Sequence, residues 1–498
     1  GVTINAGGLN ITGVVTATSF TGDGSTMTGV AMSISPLAYN PDVNDSIVTT
    51  GTGIGITFDH RILAGSGNVT LSIATNAGAA GTTVENFGVG SSVTIAGRKA
   101  SFTPTNSLSY GETYHISYPS GAFTNTGGDV SYVGTAYTFG VQPYVGYLWV
   151  IGEGENGQLA QNNETDYSSP VQVPGSNWKT ISGMDRGMRV IKSDGTLWSW
   201  GYSNLGGHAQ NLAGAQRFSS PVQIPGTTWS NVSAYRINNY AIKTDGTLWA
   251  WGGGGNGQLG QNDRTNRSSP VQIPGTTWNN IQVGSNNAVL ATKTDGTLWA
   301  WGYNNKGPLG QNDRADRSSP VQIPGTTWNK LCGGNQSFHA TKTDGTLWSW
   351  GYNGSGQLGL NNKTEYSSPT QIPGTTWSDV SIGTGSMGLA LKTDGTLWAW
   401  GWNGGGYLGQ NNTTHYSSPV QVGSGTDWSK ISAGGGHVLA LKTDGTAWGI
   451  GANTRGTLAT PSFAGPGKYF SSPVQIGSES DWSDIFGHYE HTSLIKES

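Results

Sequence analysis

The chain has 498 residues, including 80 Gly, 20 Trp and a single Cys, and a formal net charge of −4. Gly lacks the every-third-residue period of collagen, and 10% aromatic content with little net charge excludes a disordered chain. The lone Cys332 excludes an intrachain disulfide and a Cys-based zinc cluster, and no apolar run reaches the ~18 residues of a membrane helix. No basic, apolar-cored secretory segment opens the chain, and its first residue, Gly1, reads as a processed or partial start. All 20 Trp lie at or after Trp149. Residues 1–143 hold three basic groups (Arg61, Arg98, Lys99) against seven acidic ones, while the remainder holds 22 of each sign. A boundary near residue 143 is implied, with a neutral second part.

Residues 1–31 are rich in Thr, Gly and Val and too short to bury a core alone. Their wording, GLNITGVVTATSFTGDG, resembles stretches of phage tail-fibre and structural proteins. The resemblance implies a segment that anchors the chain to other virion proteins or intertwines with copies of itself, as in a homotrimer. Residues 32–142 alternate apolar and polar in strand fashion, as in Ile54-Gly-Ile56-Thr-Phe58, Val69-Thr-Leu71-Ser-Ile73 and Tyr137-Thr-Phe139, with turn residues between. That pattern predicts a β-sandwich of about 100 residues. The strings ITFDHRI, SFTPTNSLSYGETYHISYPSGAF and AYTFGV resemble bacterial Ig-like domains.

From residue 143 to 498 one unit repeats. KTDGTLWAWG-like strings recur six times, at Asp194, Asp245, Asp295, Asp344, Asp394 and Asp444, spaced 49 to 51 residues apart. SSP recurs seven times, from Pro170 to Pro473, each with a Trp after it, from Trp178 to Trp482. The seventh DGT is missing because one unit is cut at that turn. The chain ends on Ser493-Leu494-Ile495-Lys496, which matches the residues before DG in the other units. The repeats begin on Tyr147-Leu148-Trp149-Val150-Ile151-Gly152, which matches the residues after DGT. Such a cut serves a ring that closes by pairing the two halves. Each unit reads as four short strands, typified by LALK, LWAWG, PVQIP and WSDVS. The prediction is an all-β chain: a seven-bladed β-propeller with a split closing blade, preceded by the Ig-like sandwich and the short leading segment. These repeats resemble the regulator of chromosome condensation family in its bacterial and phage wording. That resemblance implies the propeller fold and says little of function, since the fold serves exchange factors, inhibitors and adhesins.

No catalytic constellation emerges, so no enzymatic activity, metal or cofactor is expected. His208, His339, His415, His437, His488 and His491 sit at unmatched repeat positions, outside any HExxH frame. The repeated Asp of DGT is a turn former. Asn262-Asp263-Arg264 has the look of a calcium loop but carries its own Arg. Strand reversal places the KTDGT and PGTTW turns on one propeller face and the remaining loops on the other. The first face barely varies. The second varies with recognition-type residues, which suggests a binding face. Its candidate residues are Arg186, Arg189, Tyr235, Arg236, Asn239, Asn287, Gln336, Phe338, His339, Met387, His437, Tyr489 and His491, from the loop before LALK. The residue before SSP adds Tyr167, Phe218, Arg267, Arg317, Tyr366, Tyr416 and Phe470.

The expected function is a non-enzymatic virion fibre or appendage protein, placed on the virion or outside the cell. Its propeller would bind a host cell-surface receptor, with glycan favoured over protein because aromatic and Asn-rich concave faces suit sugars. A secreted propeller inhibitor or a protein-binding regulator is the alternative. The neutral repeat region, without a basic tail, gives no support for nucleic acid as a partner, and membrane insertion is not expected.

Overall fold

The computed structural model describes residues 36–41, 51, 53–75, 78–125, 136–141, 144–184, 186–212, 214–459 and 468–497, apart from the Met184 side chain. The leading segment expected to anchor or trimerise, 1–31, lies outside these described residues. The chain divides into two compact units, Gly1–Tyr144 and Val145–Ser498.

The first unit carries two four-stranded antiparallel sheets. Ile54–Phe58 lies between Pro36–Asn40 and Lys99–Phe102 in one, and Asn68–Ala74 lies between Thr113–Ser117 and Ala80–Gly88 in the other. Successive side chains of a strand point to opposite faces, so Ile54, Ile56 and Phe58 meet Val69, Leu71, Ile116 and Phe139 in one core.

The second unit is the propeller. Among the described residues it holds seven four-stranded antiparallel sheets. One of them runs Trp278–Val283, Ala288–Lys293, Leu298–Gly302 and Arg317–Ile323, and the other blades repeat that order. The Trp-led strand is innermost. On four such strands a serine reaches the backbone of the next one round the ring: Ser182 accepts the Ala234 N–H, Ser233 that of Val283, Ser381 that of Ala433 and Ser432 that of Gly487, all at 2.8 to 3.0 Å. The closing blade takes Gly146–Gly152 and Tyr167–Gln172 from the start of the repeats and Trp482–Gly487 and His491–Glu497 from the end. Its seam pairs Gly146 with Glu497 and runs in register to Gly152 with His491. Strand pairing thus closes the ring.

The invariant DGT turn has a packing cause. Asp245 accepts both the amide and the hydroxyl of Thr247, at 2.9 and 2.7 Å, and Thr247 Oγ1 accepts the indole N–H of Trp249 at 2.9 Å. The same chain of bonds recurs from Asp194 to Trp198 and from Asp444 to Trp448. The Thr hydroxyl and amide together hold these carboxylates below their usual range, as at Asp245 and Asp444. The Gly after the Asp is obligatory: Gly345 has φ +78°, and a Cβ there would lie 2.2 Å from the Thr375 carbonyl. Its own carbonyl accepts the Trp377 N–H, the first residue of the next blade's inner strand, at 3.0 Å.

Cys332 occupies the inner-strand position where four blades have Ser, and its Sγ accepts the Ile382 N–H at 2.8 Å. Burial is the main force that pushes its thiol up to about 12. Cys332→Ser should therefore keep the inter-blade bond and change stability by less than about 1 kcal/mol in a denaturant melt. In the unmutated protein the thiol should resist a thiolate-directed reagent until the ring unfolds. Rapid labelling of the folded chain would overturn this placement.

Candidate functional site

The loop between the inner strand and the LALK-type strand is a tight hairpin of two to four residues. Each LALK-type strand begins earlier than the varying string suggests, for example at Gly187, Asn238, Ser337, Met387, His437 and His491. Alternation then turns much of that string inward. Seven of the candidate residues are consequently buried and cannot touch a partner: Arg189, Asn239, Phe338, His339, Met387, His437 and His491. Arg189 is 1% exposed and donates to the Met188 and Gly207 carbonyls and to Ser203 Oγ at 2.8 to 3.3 Å. Burial lowers its guanidinium to about 9. Phe338 packs against Trp350, and His339 against Trp400. Met387 lies in the core between two blades.

The residue before SSP has a different task. Arg267 pairs with Asp263 at 2.6 Å and Arg317 with Asp313 at 2.5 Å. Tyr167, Tyr366 and Tyr416 accept instead from Asn163, Asn362 and Asn412, at 3.0 to 3.1 Å. The partner always stands four residues earlier, so Arg goes with Asp and Tyr with Asn. Phe218 packs on the His208 ring, and Phe470 against the core of the closing blade. All seven are half-buried, and these contacts pin the loop that precedes them.

The hairpin tips remain. Arg186, Arg236, Asn287 and Tyr489 line one hollow of about 640 Å³, where Tyr202, Asn204 and Asn286 join them. Arg236 and Asn287 hold φ of +52° and +63°, a conformation that Gly adopts more cheaply. Asn287 donates to Asn256 Oδ1 at 3.0 Å and Asn286 to Asn335 Oδ1 at 3.2 Å, which fixes the amide rim. Tyr489, 44% exposed, also borders a second hollow of about 310 Å³ with Tyr407 and Tyr469. Glu153 is buried nearby; burial, then Glu490 and Glu155, push its carboxyl up to about 7 against Arg455 and Arg186. Tyr235 and Gln336 are half-buried beside the hairpin tips. Tyr202 and Asn204 were missed by the sequence reading. The signal was the varying residue after LWAWG, which reads Tyr202, Gly253, Tyr303, Tyr352, Trp402 and Ala452. No group of three or more His, Cys, Asp or Glu with metal-holding geometry occurs among the described residues.

The arrangement is a polar, aromatic cleft with two guanidinium-bearing tips, suited to binding by hydrogen bonds and ring stacking. Tips from the blades that carry Arg186, Arg236, Asn287 and Tyr489 provide its character, while Gly383, Gly385, Gly434, Gly435 and Gly436 leave the opposite rim nearly bare.

Comparison with known proteins places this geometry. The regulator of chromosome condensation (RCC1) repeat model matches residues 245–289, 295–337, 344–387 and 394–441, and a second model of that repeat matches 428–457. The bacterial Ig-like domain model matches 33–141. A 156-residue stretch is 31% identical to the ultraviolet-B receptor UVR8 of Arabidopsis thaliana, covering 29% of this chain and 34% of that receptor. The chain thus matches about a third of that relative's length. Among solved structures, human WBSCR16 is 17% identical with a TM-score of 0.61, over 72% of this chain and 100% of that one. Prp20p of Saccharomyces cerevisiae, which binds Gsp1p and histones, is 17% identical with a TM-score of 0.63, over 70% and 91%. These likenesses show the fold.

The buried imidazoles give a pH signature. His437 and His339 are lowered to about 3 and His488 to about 4, each chiefly by burial, and His491 lies well below its ordinary value. His488 bonds Gly183 across the ring closure and Ser493 at 3.0 Å, and stacks on His491 at 4.3 Å. The folded state keeps these rings neutral while the unfolded chain protonates them near 6.5, so stability is full above that value and falls as pH drops. Each ring costs about 1.4 kcal/mol per pH unit below about pH 6. The melting temperature should accordingly fall steeply from pH 7.5 to 5. His339→Leu, the residue that Leu290, Leu389 and Leu439 supply in other blades, should raise it and shallow the slope. A flat profile in the unmutated protein would contradict the burial.

Proposed function

We propose that this chain, a bacterial Ig-like domain with an RCC1-type propeller after it, is a non-enzymatic binding protein of a virion fibre or appendage, whose propeller holds a host cell-surface glycan in the cleft at its hairpin tips. The observation that carries the reading is the convergence of Arg186, Arg236, Asn287, Tyr202 and Tyr489 from four blades on one cleft, with the second aromatic hollow beside it. Planar guanidinium and amide groups match the paired hydroxyls of a sugar, and exposed tyrosines offer its apolar face a ring to stack on. The leading segment's fibre-like wording supports a place on the virion, among other virion proteins and outside the cell. Among the described residues no group in the cleft combines a nucleophile with a base, which supports binding without turnover.

A protein partner is the second reading. The propeller relative Prp20p binds Gsp1p and histones. The repeat region here is neutral overall, and that favours a partner recognised by shape and hydrogen bonds over one recognised by charge.

The full-length protein should bind at least one saccharide on a glycan array. Arg186→Ala combined with Arg236→Ala should weaken that binding about tenfold or more with an unchanged melting temperature. Saccharide binding that survives the double variant would place the ligand elsewhere on the chain. An array on which no saccharide is bound would sink the glycan reading.

A further inference from the structure

Repeat proteins can be compared with themselves, and among the described residues one blade breaks the rule of the others on the outer rim. In five blades the residue two places after the loop Leu or His is Gln, and its side-chain amide spans the gap between the loop and the outer strand. Gln161, Gln210, Gln261, Gln311 and Gln410 each donate to two carbonyls, one in the loop and one at Gln172, Gln223, Gln272, Gln322 or Gln421, at 2.8 to 3.4 Å. The equivalent residue of the fourth blade is Leu360, which cannot make either bond and packs instead against the core beside Trp398. In the same blade Thr370 stands where Val171, Val222, Val271, Val321, Val420 and Val474 stand in the others. Both departures line one hollow of about 440 Å³ between the fourth and fifth blades, within the usual size range of small-ligand sites.

The chemistry of its walls is specific. Leu360, Pro373 and the rings of Trp377 and Trp398 are apolar, and Asn361 and Thr370 supply an amide and a hydroxyl. Among the described residues the one charged group of the wall is Lys392, and no carboxylate lines the hollow. Lys442 and Lys496 pair with Asp427 and Asp481 at 3.1 and 2.8 Å, whereas Lys392, like Lys192, Lys243, Lys293 and Lys342, makes no ion pair within 4 Å among the described residues, and the carboxylate it acts on, Asp394, lies outside the wall. Its Nζ lies 4.9 and 4.0 Å from the centroids of Trp377 and Trp398, so the two indoles hold the ammonium at the wall.

We propose that this hollow is a second binding site, for a hexuronic acid unit of an acidic saccharide. The apolar face of the sugar ring would lie on Trp398 and Leu360, its carboxylate would meet Lys392, and its hydroxyls would meet Thr370 and Asn361. The ligand would carry both an apolar ring face and one negative charge, because the wall offers indoles beside a cation and holds no carboxylate. This inference rests on the saccharide reading above and extends it to the rim.

The test uses the full-length protein, with D-glucuronate and D-glucose as probes, read by saturation-transfer NMR and titration calorimetry. Glucuronate should bind in the millimolar range and at least about tenfold more tightly than glucose. Leu360→Gln with Thr370→Val rebuilds the wall that five other blades carry, so it should fold as before and lose the binding. Arg186→Ala with Arg236→Ala, which reports on the hairpin-tip cleft, should leave glucuronate binding unchanged. Glucuronate that binds the Leu360→Gln, Thr370→Val protein equally well, or does not bind the unmutated one, overturns the rim site. Saccharides lost from the array only in the arginine variant would then leave the face reading standing. Glucuronate bound at the rim beside a blank array would do the reverse.

Discussion

One device recurs in every blade, and the ring depends on it: a lysine ammonium held between two indoles. Lys192 lies 4.4 and 5.1 Å from the rings of Trp178 and Trp198, Lys293 lies 4.9 and 4.4 Å from Trp278 and Trp299, and Lys496 closes the series on Trp482 and Trp149. Three strands are tied at one edge, since the first Trp opens the inner strand, the Lys lies at the end of the second and the other Trp lies on the third. Each half-desolvated contact of this kind is worth of order 1 kcal/mol. The second Trp of each LWAWG does the complementary job between blades. Trp200, Trp251, Trp301, Trp350 and Trp400 are fully buried and donate to loop carbonyls of the preceding blade at 2.7 to 2.9 Å. The sixth and closing blades put Ile450 and Ile151 there, so two of the seven interfaces lack that bond and rest on apolar packing.

The architecture was legible because this device is written in sequence as a fixed spacing of Trp, Lys, Asp-Gly-Thr and Trp. The split closing blade was legible for the same reason, as the pattern broke at a turn and resumed at the far end. Site residues were harder to read. A varying string between two regular strands reads as a loop, yet its last residues already belong to a strand, where every second side chain faces another blade. Arg189 and His339 stand where Leu290, Leu389 and Leu439 stand, and a charged or aromatic residue at a core position looks in sequence like one chosen for recognition. The Arg and Tyr residues before SSP misled in another way. Their variation is matched four residues earlier by Asp or Asn, a correlation visible within the repeats once contact pairs are sought.

The contrast between a uniform face and a variable one also takes a different meaning. The six DGT turns do not vary because each accepts the first N–H of the next blade and leaves no room for a Cβ at its Gly. Uniformity there is a packing requirement, so it cannot serve as the neutral background against which variation elsewhere is judged. The hairpin tips are marked instead by their asymmetry around the channel: Arg, Asn and Tyr on one arc, Gly on the other. Drift without selection would scatter bulky and small tips alike, whereas a single cleft needs them gathered.

A closed ring of near-identical blades makes its own control for every position. Replacing the bridging Gln by Leu360 forgoes two hydrogen bonds, each worth about 1 kcal/mol, and replacing Val by Thr370 adds a hydroxyl to a wall that is apolar in six other blades. Leu360 packs on the core beside Trp398, yet a hollow remains beside both side chains. Two departures from the repeat in one blade, the first at the expense of two hydrogen bonds, both open on the same space beside Lys392, and that coincidence is what the proposed rim site rests on.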